Sequence, residues 1–286
     1  MKISTEISSA SLLLGEEKAV ELIAKAGFDA WDFSMYDTLI VDWKECTIAP
    51  SDHPFCGKNY LAFARKLRKI GEDYGIHCNQ SHAPFPYWVS IMDYLKRAVE
   101  CTAEAGGKIC VVHPDEYKDV QGNAEMYLEL LEFAEPYGVK IAAENLYVWD
   151  KQLKKGVFGP CSTPESFAEH FNAVNHPNFV ACLDFGHAEM GMEGTSAEKM
   201  VYALGPKLQA LHMHDTDLVN DNHQIPFSLN INFEKIVKAL KETGYNGYFT
   251  LEAVNYLSDF TAETAFQGVK DLAVAARKLA DMFENV

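Results

Sequence analysis

Six apolar runs in this chain end on an imidazole or a carboxylate. His82 closes Gln80-Ser81-His82, His113 closes Val111-Val112-His113, and Glu144 closes Ala143-Glu144. Asp184 follows Leu183, with His187 one helical turn later; His212 follows Leu211 and Glu252 follows Leu251. His82, His113 and Glu144 recur at equal intervals, each at nearly the same distance past a glycine (Gly75, Gly106, Gly138), so they occupy equivalent places in successive units. A lone histidine after an apolar run is usually a satisfied core or surface group. A set in equivalent positions is not explained that way. Acids and imidazoles converging in one cleft are costly to bury unpaired, and a divalent metal ion removes that cost. Ligation by His and Asp/Glu without cysteine suits Mn, Zn, Co, Fe or Mg, with imidazole favouring the transition metals, and it leaves the identity open.

Such residues need a scaffold that brings strand ends together. Helical patterns end at glycine and give way to short apolar runs at Gly27-Phe28, Gly75-Ile76, Gly138-Val139 and Gly244-Tyr245. Glycine takes the left-handed backbone that caps a helix, and a β-branched or aromatic residue then starts a strand. Strand candidates lie near 2 to 8, 28 to 34, 76 to 82, 108 to 113, 139 to 144, 179 to 184, 208 to 212 and 248 to 252. Ala265, Phe266, Val269, Leu272, Ala273, Ala276, Leu279, Ala280 and Phe283 form one apolar stripe, which reads as a last helix lying on a sheet. Eight strands alternating with helices in this length predict an α/β fold, a single (β/α)8 TIM barrel occupying 1–286 as one domain. No G-x-G-x-x-G follows the first strand to favour an open doubly wound sheet. In a barrel the strand-closing residues face the C-terminal mouth, where such enzymes place their chemistry.

Composition narrows the partners. The chain has 286 residues, with Asp+Glu 41 against Lys+Arg 25 and a net charge of -16. Its only arginines are Arg65, Arg68, Arg97 and Arg277, all in or beside helical patterns. No nucleic-acid partner is expected from that balance. The cysteines are scattered, odd in number and form no C-x-x-C pair, which argues against a disulfide framework or a zinc knuckle. The opening Met1-Lys2-Ile3-Ser4-Thr5-Glu6 has no apolar run before a cleavage-like site, and no stretch reaches the roughly 18 apolar residues of a membrane span. A cytoplasmic protein without membrane contact is expected.

The full set resembles the xylose-isomerase-like TIM-barrel superfamily, which includes sugar phosphate isomerases/epimerases, ketose 3-epimerases and endonuclease IV. It is carried by Ser81-His82-Ala83-Pro84, Val112-His113-Pro114, Ala143-Glu144-Asn145, Leu183-Asp184-Phe185-Gly186-His187, Leu211-His212-Met213-His214-Asp215, Asp221-Asn222-His223 and Leu251-Glu252. The epimerase pattern implies one metal held by Glu144, Asp184, His212 and Glu252, with His187 binding substrate hydroxyls. The endonuclease pattern implies three zinc ions and adds His82, His113, His187, Asp221 and His223 as further metal or substrate ligands. The chain departs where the family tends to show Pro-Gly-x-Gly: it has Pro226-Phe227-Ser228-Leu229-Asn230, so the loop carrying Asp221 and His223 is expected to run differently for want of glycines.

The resemblance implies a metal-dependent isomerase or epimerase of a sugar or related polyhydroxy carbonyl compound, working by proton transfer through a metal-stabilised enediolate. Glu144 and Glu252 are then the catalytic acid/base pair. Scarcity of arginine points to an unphosphorylated sugar. His214 and the aromatics Trp31 and Trp88 are further substrate-binding candidates, within a wall that also takes in Tyr36, Phe85, Tyr147 and Trp149. His214 and Asp215 are expected to orient His212. Lys154 and Lys155 read as a solvated loop, and Cys182 as a small buried hydrophobe. The alternatives are an endonuclease IV-like phosphodiester hydrolase and a non-catalytic metal-binding barrel subunit; a homo-oligomer fits the superfamily.

Overall fold

The structure is a computed structural model and describes residues 1–42, 44–45, 47–85 and 91–286. All eight expected strands form: β1 (Lys2–Thr5), β2 (Ala30–Ser34), β3 (His77–His82), β4 (Ile109–Val112), β5 (Lys140–Glu144), β6 (Phe179–Asp184), β7 (Leu208–His212) and β8 (Tyr248–Leu251). Long helices alternate with them: α1 (Glu16–Ala26), α2 (Tyr60–Asp73), α3 (Met92–Ala105), α4 (Val120–Ala134), α5 (Pro164–Val174), α6 (Ala197–Leu204), α7 (Phe233–Glu242) and α8 (Ala265–Asn285). Their limits follow local chemistry. Thr163 caps α5 by accepting from the Ser166 amide, with Pro164 in the first turn, and Gly27 ends α1 at φ 101°.

Pairing is parallel throughout these strands. β2 to β7 make one six-stranded ladder in sequence order, while β1 pairs with β8 from Lys2↔Tyr248 to Thr5↔Leu251. Single parallel bridges, Glu6 with Asp32 and Met213 with Leu251, lie between the two ladders. The result is a curled parallel sheet in which strand number and neighbour order follow the barrel expectation, with the ladder interrupted on both sides of the β1–β8 pair. Two antiparallel hairpins, Ile40–Asp42 with Thr47–Ala49 and Tyr147–Asp150 with Lys155–Phe158, fall outside the eight-strand reading. Their turns rest on Asp42 and Asp150, whose side chains accept from the amides two and three residues on.

Side chains alternate between two cores. One lies between sheet and helices and includes Trp31, Phe33, Phe167 and Phe179. Inside the sheet a smaller apolar cluster of Val111, Ala142, Val180, Cys182 and Ala210 faces a polar column of Ser4, Asn79, Gln80 and Thr250. On α8 the expected stripe is buried except for Phe266, which is solvent-exposed. No helix of the described residues is long and apolar enough to cross a membrane.

Candidate metal centre

Glu144, Asp184 and His212 end the adjacent strands β5, β6 and β7, and Glu252 follows β8. Strand register sets Asp184 opposite His212. Asn145 locks the neighbouring backbone: its amide donates to the Asp184 carbonyl at 2.9 Å, and its side-chain oxygen accepts from the Asp184 N–H at 2.8 Å. Asp184 also caps the short helix Phe185–Glu189, accepting from the His187 N–H at 2.7 Å. Ligand atoms of Glu144, Asp184, His212 and Glu252 all lie within 4.8 Å of one another. All four residues are buried.

The donor set fits a divalent metal ion. Both Glu144 oxygens and both ring nitrogens of His212 are buried without a hydrogen-bond partner. Nδ1 lies 3.0 Å from Glu144 Oε1 and 3.5 Å from Glu252 Oε2. Buried acceptors are almost always satisfied, and no Lys or Arg of the described residues is paired with them. A cation among these atoms supplies the missing partner.

Two further triads flank this quartet. His82, His113 and Glu144 form one, with both imidazole Nε2 atoms 3.3 Å from Glu144 Oε2. His187, Asp221 and His223 form the other, with Nε2 atoms 3.3 and 3.1 Å from the Asp221 carboxylate. In three of these rings Nδ1 faces a backbone carbonyl: His82 to Ala83 (2.8 Å), His187 to Asn145 (2.9 Å) and His223 to Glu252 (2.7 Å). A carbonyl only accepts, so Nδ1 carries the proton and Nε2 is turned to the site.

Electrostatics follow from this crowding. Burial works against ionising Glu144, but His212 and His113 hold its carboxyl well below the ordinary range. Burial opposes charge on Asp221 as well, and His187 and His223 pull it well below. Glu252 is instead raised, by burial foremost and with the Glu144 charge adding to it. Burial drives His113 down to about 4.

A cavity of about 370 Å³ opens above these groups, lined by His82, His113, His187, Asp221, His223 and Glu252. Its walls include Tyr36, Phe85, Tyr147 and Trp149 from the expected aromatic set, as well as Asp37 and Glu116, which the strand-end pattern does not reach. Trp31 is a correction. It alternates outward on β2 and is fully buried against α2, where a methyl on Gly71 would come within 2.9 Å of its indole nitrogen. Trp88 lies outside the described residues.

His214 is also corrected. It is fully buried, does not line the cavity, and holds Asp184, with Nε2 at 3.1 Å from each carboxylate oxygen. Gly186 is required there, since a Cβ would fall 1.9 Å from the His214 ring. Asp215 does not orient His212; it accepts from the amides of Thr216, Leu229 and Ile231 and so anchors the following loop. That loop reaches the site without the expected glycines, because Leu218, His223 and Phe227 themselves take φ of 69°, 43° and 73°. Cys182 belongs to the inner apolar cluster, with its sulfur close beneath Glu144 and His212. Lys154 and Lys155 are exposed at the tip of their hairpin, and the arginines sit on α2, α3 and α8.

Two further buried acids stand at the first two strands, apart from the six strand ends that close on an imidazole or a carboxylate. Glu6 follows β1 and Asp32 lies on β2, both essentially inaccessible. The same strand-end and alternation rules, applied to the first two strands, find them.

Comparison with known proteins places the chain. Residues 20–279 match the xylose isomerase-like TIM barrel family. An uncharacterized protein of Methanocaldococcus jannaschii is 26% identical over 83% of this chain and 78% of its own length. Inosose isomerase of Bacillus subtilis is 30% identical over 54% of each chain, so that match spans about half of either protein. Among solved structures, a D-tagatose 3-epimerase-like protein superposes with a TM-score of 0.72 at 24% identity, covering 100% of this chain and 98% of the other. The IOLI protein with a bound zinc atom superposes at 0.70 with 23% identity, covering 100% and 99%.

Proposed function

We propose, from the premise that the chain belongs to the xylose isomerase-like TIM barrel family, that it is a divalent-metal-dependent isomerase or epimerase of an unphosphorylated sugar or related polyhydroxy carbonyl compound. The observation that carries this reading is the buried quartet Glu144, Asp184, His212 and Glu252, with the Glu144 oxygens unpartnered, beneath a cavity of sugar size. The names inosose isomerase and D-tagatose 3-epimerase-like protein support the reaction class, and the zinc of the IOLI protein supports the metal. The same reading takes the two single bridges as completing a closed (β/α)8 barrel that forms one domain over 1–286. The cysteines of the described residues are free, which supports a cytoplasmic location. A homo-oligomer remains part of the reading by family resemblance alone.

Glu144, Asp184, His212 and Glu252 would hold the metal ion. When bound, it polarises the substrate carbonyl and offsets the negative charge that develops on it. Glu144, kept ionised by the imidazoles around it, takes the proton from the carbon beside the carbonyl. Glu252, whose carboxyl burial raises above the ordinary range, returns one to the enediolate. His187, backed by Asn145 and facing Asp221, presents a ring nitrogen to substrate hydroxyls, and Tyr147 donates to Asp221 at 3.3 Å beside it. Phe85 and Trp149 supply apolar faces for the sugar ring.

The test is Glu252→Gln assayed on inosose and ketohexoses with Mn, Co or Zn. Loss of turnover with metal still bound is expected, and full turnover with metal bound would remove Glu252 from the mechanism. A second reading, a three-metal phosphodiester hydrolase, is favoured by the flanking triads, which complete the nine expected ligand positions. Against it, the cavity is lined by Asp37 and Glu116 and by no Lys or Arg of the described residues. Metal stoichiometry separates the two: one equivalent fits the epimerase reading, and near three with incision of abasic duplex fits the hydrolase.

A further inference from the structure

We propose that Asp32, on β2, is the positioning residue of the metal ligand His212: its carboxylate accepts the Nε2 proton, so that the Nδ1 lone pair is the one turned to Glu144, Glu252 and the metal. The inference rests on the metal-centre reading above and adds a residue that this reading does not use.

His212 is oriented differently from its neighbours. His82, His187 and His223 give their Nδ1 protons to backbone carbonyls and turn Nε2 to the site. His212 instead turns Nδ1 to Glu144 and Glu252, so its single neutral-state proton must sit on Nε2. That nitrogen is buried, makes no hydrogen bond in the structure, and needs an acceptor. Asp32 Oδ2 stands 3.4 Å from it. The two residues placed nearest in sequence for this task are engaged elsewhere, His214 with Asp184 and Asp215 with the loop amides.

Asp32 is itself held in place. The β2–β3 register shifts after Trp31↔Cys78, so that Asp32 pairs with Gln80 and Asn79 is the extra residue. Gln80 Nε2 donates to Asp32 Oδ2 at 2.8 Å and to the Leu211 carbonyl at 3.3 Å, tying the acid to the strand that carries His212. The Gln80 amide cannot turn over, because its oxygen accepts from Asn79 Nδ2 (3.2 Å) and Thr250 Oγ1 (3.3 Å). Asn79 is fixed in turn by Ser4 at 2.6 Å. Asp32 is fully buried with Oδ1 unpartnered, and no Lys or Arg of the described residues pairs with it. A buried carboxylate kept against that cost, aimed at the distal nitrogen of a ligand histidine, sets its tautomer and raises its basicity as a donor.

Co²⁺ is the probe. Its affinity, by competition with a chelating dye, and its visible absorption in the loaded protein are measured for wild type, Asp32→Asn, Asp32→Ala and Gln80→Leu, alongside the melting of each metal-free protein. Roughly 10- to 100-fold weaker binding with a shifted cobalt band is expected for the Asp32 variants, and a smaller loss for Gln80→Leu. Metal-free melting of Asp32→Asn should stay near wild type, since the replacement is isosteric and its side-chain oxygen can still accept from Gln80. Unchanged affinity and band in the Asp32 variants would overturn the assignment. A measurement independent of any variant's folding is ¹⁵N NMR of zinc-loaded wild type: a proton on His212 Nε2 supports the proposal, and a proton on Nδ1 overturns it. Failure of wild type to bind Co²⁺ or Zn²⁺ at all would instead remove the metal-centre reading.

Discussion

Glu6 and Glu144 are both buried carboxylates at the C-terminal ends of parallel strands, and they are held in opposite ways. Glu6 has its own donors: the Ser9 N–H at 2.9 Å on one oxygen and the Ser9 hydroxyl on the other. Its charged neighbours are acids, Glu252 and Asp32, and burial pushes its pKa up to about 7 in spite of Ser9. Glu144 has no donor on either oxygen and is ringed by His82, His113 and His212. The β1 acid is therefore satisfied by the chain that follows it, and the β5 acid is left for something the chain does not contain. For these two acids, position at a strand end makes the carboxylate available, and the local supply of donors separates the satisfied one from the one that can accept a cation.

The largest expected effect breaks or upholds this contrast directly. Glu144→Gln should lose bound metal and lower turnover by at least about 10³-fold, whereas Glu6→Gln should keep its metal; metal content and rate on a ketose or inosose substrate check both. Equal metal content in the two variants would end the distinction. Next, chelation should lower the melting temperature by about 10 °C, reversed on adding metal back, if binding contributes about 4 kcal/mol at metal concentrations near 1,000 times Kd.

A smaller effect concerns pH. A carboxyl raised to about 7 in the fold favours the protonated native state, so its stability contribution is complete below the unfolded value near 4.5 and is lost as pH rises through 7. Glu6→Gln abolishes that loss. The variant's unfolding free energy relative to wild type should thus climb between pH 5 and pH 8, by up to about 3 kcal/mol, read from denaturant melts at each pH. A flat difference would mean that Glu6 ionises freely. The smallest effect belongs to the cavity wall on the Glu144 side: Trp149→Ala should raise KM severalfold, about 1 kcal/mol, with little change in melting, because the ring is already 39% exposed.

Much of the site was legible because strand ends and helix caps are local signals. Glu144, Asp184, His212 and Glu252 each sit one step past an apolar run, and the fold brings all four within 4.8 Å. What escaped depends on contacts distant in sequence. Trp31 was misread because an aromatic at a strand shows its type and not its face, and here alternation sends it to α2. The Asp221–His223 loop was expected to stray for lack of glycine, but tertiary contacts, including the Asp215 carboxylate on Leu229 and Ile231, hold non-glycine residues at positive φ. The two hairpins have strands of three and four residues, too short for periodicity to reveal.

By itself the sequence determined the alternation of eight strands and helices, the residues that close each strand, and the donor types those residues offer to a metal ion. These follow from the neighbours of each residue along the chain. Only the tertiary structure decided which acids are satisfied and which are not, which nitrogen of His212 faces the site, and that Asp32 stands behind it. Hydrogen-bond supply, burial and imidazole orientation are properties of groups that meet across the sheet, and they come into being only when the strands do.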